Sequence, residues 1–149
     1  MNIHVVRTDG TWYSRPDVTL VRDAERFCLP DDCIGACGCR ACCIRIDKAG
    51  KAVAPRFARR YFTCCTDSIL FYGITGNGRL TPYLDRSTWV SRDFRPADTL
   101  EPALTQRIVQ LLCQISRHLS LRIGDFLIYE LTAPAQLQRG SLFDNIEIL

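Results

Sequence analysis

The chain has 149 residues, 47% hydrophobic and 23% charged, an ordinary globular composition with enough length to bury one core, so a single domain over residues 1–149 is expected. A formal net charge of +3, carried by arginines scattered among aspartates, argues against a nucleic-acid binder, and no apolar run is long enough for a membrane span. The first residues lack the apolar stretch of a secretory signal, so a cytoplasmic chain with reduced thiols is expected; nine cysteines cannot all pair in any case.

In chain order, Ile3 to Val6 reads as a short strand, followed by a turn at Asp9-Gly10 and an extended Arg15-Pro16 unit. Val18 to Val21 and Phe27 to Leu29 read as two more strands, the second closed by Pro30-Asp31-Asp32. Cys39 to Ile46 reads as a strand with Arg40 and Arg45 interleaved among apolar residues, and Asp47 to Lys51 as its exit turn. Pro55 opens a short helix that puts Phe57, Ala58, Tyr61 and Phe62 on one side and Arg56, Arg59 and Arg60 on the other, with Cys64-Cys65 near its end.

Ser68 to Tyr72 reads as a buried strand ended by Gly73 and a Gly76-Asn77-Gly78 turn. A helix is signalled from Asp98, and Leu104, Ile108, Leu111, Leu112, Ile115 and Leu119 recur at helical spacing. Phe126 to Leu131 is a strand after the Gly124-Asp125 turn, and another turn and strand end the chain. Trp12, Trp89, Phe94 and the Leu104 to Leu119 stripe are expected in the core. His4 falls in the first strand and His118 near a helix C-terminus, where the dipole favours it, and neither has a catalytic partner nearby in sequence. Many short strands with one long and one short helix predict an α+β domain around a twisted mixed sheet.

The cysteines admit two readings. Cys33, Cys39 and Cys42, with Cys64 or Cys65 as a distant fourth ligand, are spaced like the ligands of adrenodoxin-type iron-sulfur proteins, and zinc is the other soft-metal option. Against this, Cys39 and Cys42 on a strand point to opposite faces, and free cysteine commonly serves as a small buried hydrophobe. The burial reading is preferred.

Four segments, in order, resemble the fumarylacetoacetate hydrolase family: "YSRPDVTLVRDAERFCLPDD", "IRIDKAGKAVAPRFARRYF", "STWVSRDFRPADTL" and "ISRHLSLRIGDFLIYELTAPAQLQRGS". The resemblance implies a β-roll of that family's C-terminal type, a homodimer or a pairing with a related subunit, and magnesium or manganese held by three carboxylates for acylpyruvate or oxo-acid chemistry. Carried over position by position, it puts Cys39 and Ala41 where the family has two glutamates and Leu70 where it has an aspartate. These are degenerate metal positions, so neither a cofactor nor a catalytic residue is expected. Arg92 stands in for a family lysine and is the candidate ligand-binding cation, Glu130-Leu131-Thr132 replaces a Gly-Thr-Pro loop, and the chain skips a family stretch between Leu100 and Leu104.

The reading that follows is a shortened, hydrolase-like pseudoenzyme acting as a binding or assembly subunit. The alternatives are an active metal-dependent hydrolase or decarboxylase with rebuilt ligands drawn from Asp31, Asp32 or Asp67, and a cysteine-ligated zinc or iron-sulfur protein.

Overall fold

The structure is a computed structural model and describes residues 1–23 and 25–149. Its centre is a long antiparallel hairpin of β5 (Cys33–Arg45) and β6 (Cys64–Thr75), in register from Ile44↔Cys65 through Cys39↔Leu70 to Cys33↔Thr75, with an irregularity near Gly35. β10 (Phe126–Glu130) pairs with β5 on its other side, and β1 (Ile3–Val6) lies parallel to β10. β2 (Trp12–Arg15) returns antiparallel to β1 through a turn in which Gly10 takes φ 85°.

Shorter pieces complete the sheet. β8 (Thr88–Val90) extends it beyond β6, and β3 (Leu20–Val21) lies parallel to β8. β7 (Leu80–Thr81) and β9 (Arg95–Pro96) pair with β6, and β11 (Ala135–Leu137) pairs with β5. A second, small sheet joins β4 (Arg26–Phe27), β12 (Leu142–Phe143) and β13 (Ile146–Ile148).

Alternation along the central strands decides what packs where. Odd residues of β5 (Cys37, Cys39, Ala41, Cys43) join Ile3, Val5, Leu70, Phe126 and Ile128 in one buried layer, called here the inner face. Even residues face outward and are covered in two places. At one end the helix α2 (Pro102–His118) lays Ile108, Leu112 and Ile115 on Cys42 and Ile44. At the other the small sheet packs Phe27, Ile146 and Ile148 on Ala36, Ile69 and Phe71, with the Phe27 and Phe71 rings stacked 4.5 Å apart.

The α+β class, the curled mixed sheet and the long and short helices agree with expectation, and several boundaries do not. Val18 to Val21 is not one strand: Asp17–Thr19 is a 3-10 turn with Val18 63% exposed, and only Leu20–Val21 extends. The strand expected from Cys39 starts at Cys33, because residues 33–38 pair with β6 and β11 across a register shift between Cys33 and Gly35 that leaves Ile34 exposed. Cys64 and Cys65 open β6 rather than close a helix. The short helix is one α turn, α1 (Pro55–Ala58), followed by a 3-10 turn at Arg59–Tyr61, and it leaves Phe57 partly exposed. The long helix begins at Pro102, since Ala97–Thr99 is a separate 3-10 turn closed by the Thr99 hydroxyl on the Pro96 carbonyl. Trp12, Trp89 and Phe94 are half-buried against the core, and Leu119 lies past the helix end, partly exposed.

Candidate functional site

β5 and β6 bring Cys39, Ala41 and Leu70 together on the inner face. Cys39 lies directly opposite Leu70, and Ala41 is two residues further along the same side of β5. All three are at most 2% exposed. Burial and the nearby Glu130 carboxylate push the Cys39 thiol up to about 12, so it stays protonated at neutral pH. A thiol, a methyl and an isobutyl group offer no oxygen to a hard divalent ion, and these residues do not fit magnesium or manganese. Among the described residues, no group of three or more His, Cys, Asp or Glu gathers where it could hold a metal.

The cysteine set does not converge either. Cys39 belongs to the inner layer and Cys42 to the layer under α2, as alternation requires. Cys33 sits at the far end of β5 beside Gly73, and Cys64 at the opposite end of the hairpin, half-buried. Burial also raises the Cys42 thiol, to about 12, with Cys65 adding to it. The three aspartates of the rebuilt-ligand alternative are likewise dispersed. Asp31 and Asp32 lie in the exposed turn before β5, whereas Asp67 sits opposite Cys42, nine residues on from Cys33, or about 30 Å of strand. Asp67 is exposed and lies 3.3 Å from Arg95. Arg92 is a surface residue whose Nε donates to Asp23 at 2.9 Å.

What the inner face does keep is a line of four polar side chains that the sequence reading passed over. Arg15, only 2% exposed, donates through Nε to the Tyr13 hydroxyl at 3.0 Å, and Tyr13 donates to the Tyr72 hydroxyl at 2.8 Å. Tyr72 donates in turn to Glu130, which is 1% exposed. Arg15 Nη1 faces the Ser87 carbonyl and the Ser87 and Thr88 hydroxyls, Nη2 donates to the Phe71 carbonyl, and the guanidinium carbon lies 4.8 Å from the centre of the Tyr72 ring.

Each donor points the same way along this line, from a fixed cation to a carboxyl group. Burial raises the Glu130 pKa, while the Tyr72 hydrogen bond and Arg7 oppose the rise; burial and Tyr13 raise that of Tyr72. The Glu130 end opens into a cavity of about 240 Å³ lined by Arg7, Thr8, Asp9, Tyr72, Leu80 and Pro134. A small polar molecule entering there meets a buried carboxyl and the exposed Arg7 together. The signal available in the sequence was a lone acid closing the apolar strand "FLIYE" and a lone arginine closing "WYSR".

His4 lies on the opposite face of β1, its Nδ1 2.9 Å from the Ser14 hydroxyl. Its Nε2 is buried without a hydrogen bond, 3.9 Å from Asp125, and burial lowers the ring's pKa. His118 lies 6.1 Å from the Trp12 ring, between centroids, at the end of α2.

No protein-family profile matches the sequence, and no curated protein matches it. Solved structures do. Fumarylpyruvate hydrolase from Pseudomonas aeruginosa, crystallised with Mn2+ and pyruvate, superposes with a TM-score of 0.76 at 12% identity, over 94% of this chain and 82% of that one. Maleylpyruvate hydrolase from Sphingobium sp. SYK-6 gives a TM-score of 0.79 at 15% identity, over 99% of this chain and 70% of that one. A fumarylacetoacetate hydrolase family protein from Yersinia pestis CO92 gives 0.74 at 14% identity, over 93% and 84% of the two chains. The chain therefore has the fold of the fumarylacetoacetate hydrolase family, the family its sequence segments resemble.

Proposed function

We propose that this chain is a member of the fumarylacetoacetate hydrolase family without the metal-dependent chemistry of its relatives, and that it serves as a binding or assembly subunit, either as a homodimer or beside a related subunit. One observation carries the reading: Cys39, Ala41 and Leu70, the positions where the sequence resemblance places the family's metal-binding carboxylates, are apolar, buried and packed in one layer. Replacing three acids by such side chains removes mutual repulsion and adds apolar burial, which makes the site part of the core. The cavity at Glu130 and the surface cation Arg92 support the binding side of the reading.

The test pairs a metal readout with a chemical one. Titrating Mn2+ into the protein while following the electron spin resonance signal of the free ion is expected to leave that signal unchanged. Acylpyruvates and oxaloacetate are expected to survive incubation with protein and magnesium. A bound manganese ion, or magnesium-dependent turnover, overturns the proposal. For the assembly role, sedimentation is expected to give twice the chain mass of 16.9 kDa, or a stable complex with a related chain. Calorimetry with pyruvate is expected to detect binding that Arg92→Ala abolishes, and no heat in the unaltered protein removes Arg92 from the reading.

A further inference from the structure

Behind the sheet, on the α2 side, lies a basic groove that the function above does not use. Both lysines of the chain, Lys48 and Lys51, fall with Arg56, Arg59 and Arg60 inside residues 48–60, a stretch with no acid. Among the described residues, Lys48, Lys51, Arg56 and Arg60 form no ion pair. The neighbouring Asp47 is committed elsewhere: its Oδ2 accepts from the Thr63 backbone and hydroxyl at 2.7 and 2.6 Å, and its Oδ1 lies 3.6 Å from Arg45.

These cations converge on a concavity. Lys48, Lys51 and Arg60 line a cavity of about 330 Å³ whose apolar wall includes Val53, Phe57 and Tyr61. Arg56 and Arg60 stack on the Phe57 ring at 4.7 and 5.2 Å from its centroid. Stacking holds a guanidinium flat and leaves its N–H edges free for a bidentate oxyanion.

The groove is also rigidly built. Ala52 takes φ 52°, a left-handed conformation that costs a residue with a Cβ, and it is held there by its N–H on the Ser116 carbonyl at 2.7 Å, while the Val53 N–H bonds the Ser116 hydroxyl at 3.0 Å. The Tyr61 ring packs against Gly50, where a Cβ would come within 2.5 Å of it. Strain kept in a loop that presents only cations is a feature expected of a binding element.

We propose that this groove binds a small oligophosphate anion, free or as the phosphate chain of a nucleotide. Three cations around one apolar concavity, with no acid among them, match an anion carrying several charges; a single carboxylate would leave most of that charge uncompensated.

The test is calorimetric titration of the full chain with sodium tripolyphosphate at roughly 50 mM salt, where screening is still weak. Binding is expected, weakening as salt rises. A Lys48→Ala/Lys51→Ala/Arg60→Ala variant, whose changes are all at the surface, is expected to lose about tenfold or more in affinity, as removal of phosphate contacts does. Arg40→Ala, on the opposite end of the outer face, is expected to bind normally. An ATP arm separates the sources: equal or tighter binding of ATP points to a nucleotide, and binding of tripolyphosphate alone points to a free oligophosphate. No binding of either anion, or equal affinity in the triple variant and the parent, overturns the proposal. None of these outcomes depends on whether the Cys39 face holds a metal.

Discussion

Two neighbouring parts of the inner face share the same burial and solve it differently. Cys39, Ala41 and Leu70 are themselves a protonated thiol and two apolar groups, so none of the three needs a partner. Beside them on the same face, with Glu130 directly opposite Ala41, Arg15, Tyr13, Tyr72 and Glu130 keep a full cation and a carboxyl group out of water, joined by hydrogen bonds from one to the next. The contrast shows that burial alone does not empty a site of charge. Charge persists where a continuous line of hydrogen bonds joins the two signs.

The strongest way to break this contrast is Leu70→Asp, which puts one carboxylate into the apolar part. It is expected to cost about 4 kcal/mol or more, with a melting temperature lower by roughly 10 °C, and added Mn2+ is not expected to restore it. A variant that melts like the parent, or that manganese rescues, would show that the face still accommodates an acid. Next comes Glu130→Ala, which leaves the buried Arg15 without its carboxylate and Tyr72 without its acceptor. A loss of about 2–4 kcal/mol in urea denaturation is expected, and a loss under ~0.5 kcal/mol would mean the polar line contributes little.

A pH series sharpens the same point with a smaller effect. Because the folded protein raises the Glu130 pKa, it binds that proton more tightly than the unfolded chain does. The contribution of this group is therefore fully present below the ordinary carboxylate range and is lost as pH rises from there through the raised folded value. Glu130→Gln is expected to flatten that limb of the urea midpoint against pH; an unchanged slope would assign it to other groups. The smallest effect is expected from the outer face. Arg40 and Asp144 form a two-bond pair at 2.9 and 2.5 Å in the open, and Arg40→Ala should change stability by less than about 1 kcal/mol.

The central strand and the long helix could be read from the sequence because their periodicities are strong: odd and even residues of "CRACCIRI" have different neighbours, and Leu104 to Ile115 repeats at helical spacing. The coming together of Cys39, Ala41 and Leu70 was legible through the family resemblance. β2 was not, since Arg15-Pro16 looks like the end of a turn while its pairing partner, β1, contributes the hydrogen bonds. Cys64 and Cys65 were assigned to a helix because the arginine-rich turn before them has a helical pattern, and only the pairing with β5 and β9 makes them extended. Glu130 and Arg15 were missed because each is a lone polar residue at a strand end, and what joins them is two phenols, one of them fifty-nine residues from the other.

The parallel pairing of β1 with β10 has a kinetic consequence. Ile3 meets Phe126, and the Asn2 backbone meets Asp125, across a span of 123 residues. The hairpin of β1 and β2 is too small to persist alone, so the first strand must wait, with Ile3 and Val5 uncovered, until β10 has been synthesised. Contacts this remote along the chain make closure entropically slow, and refolding from urea should be correspondingly slower than in helical proteins of the same size.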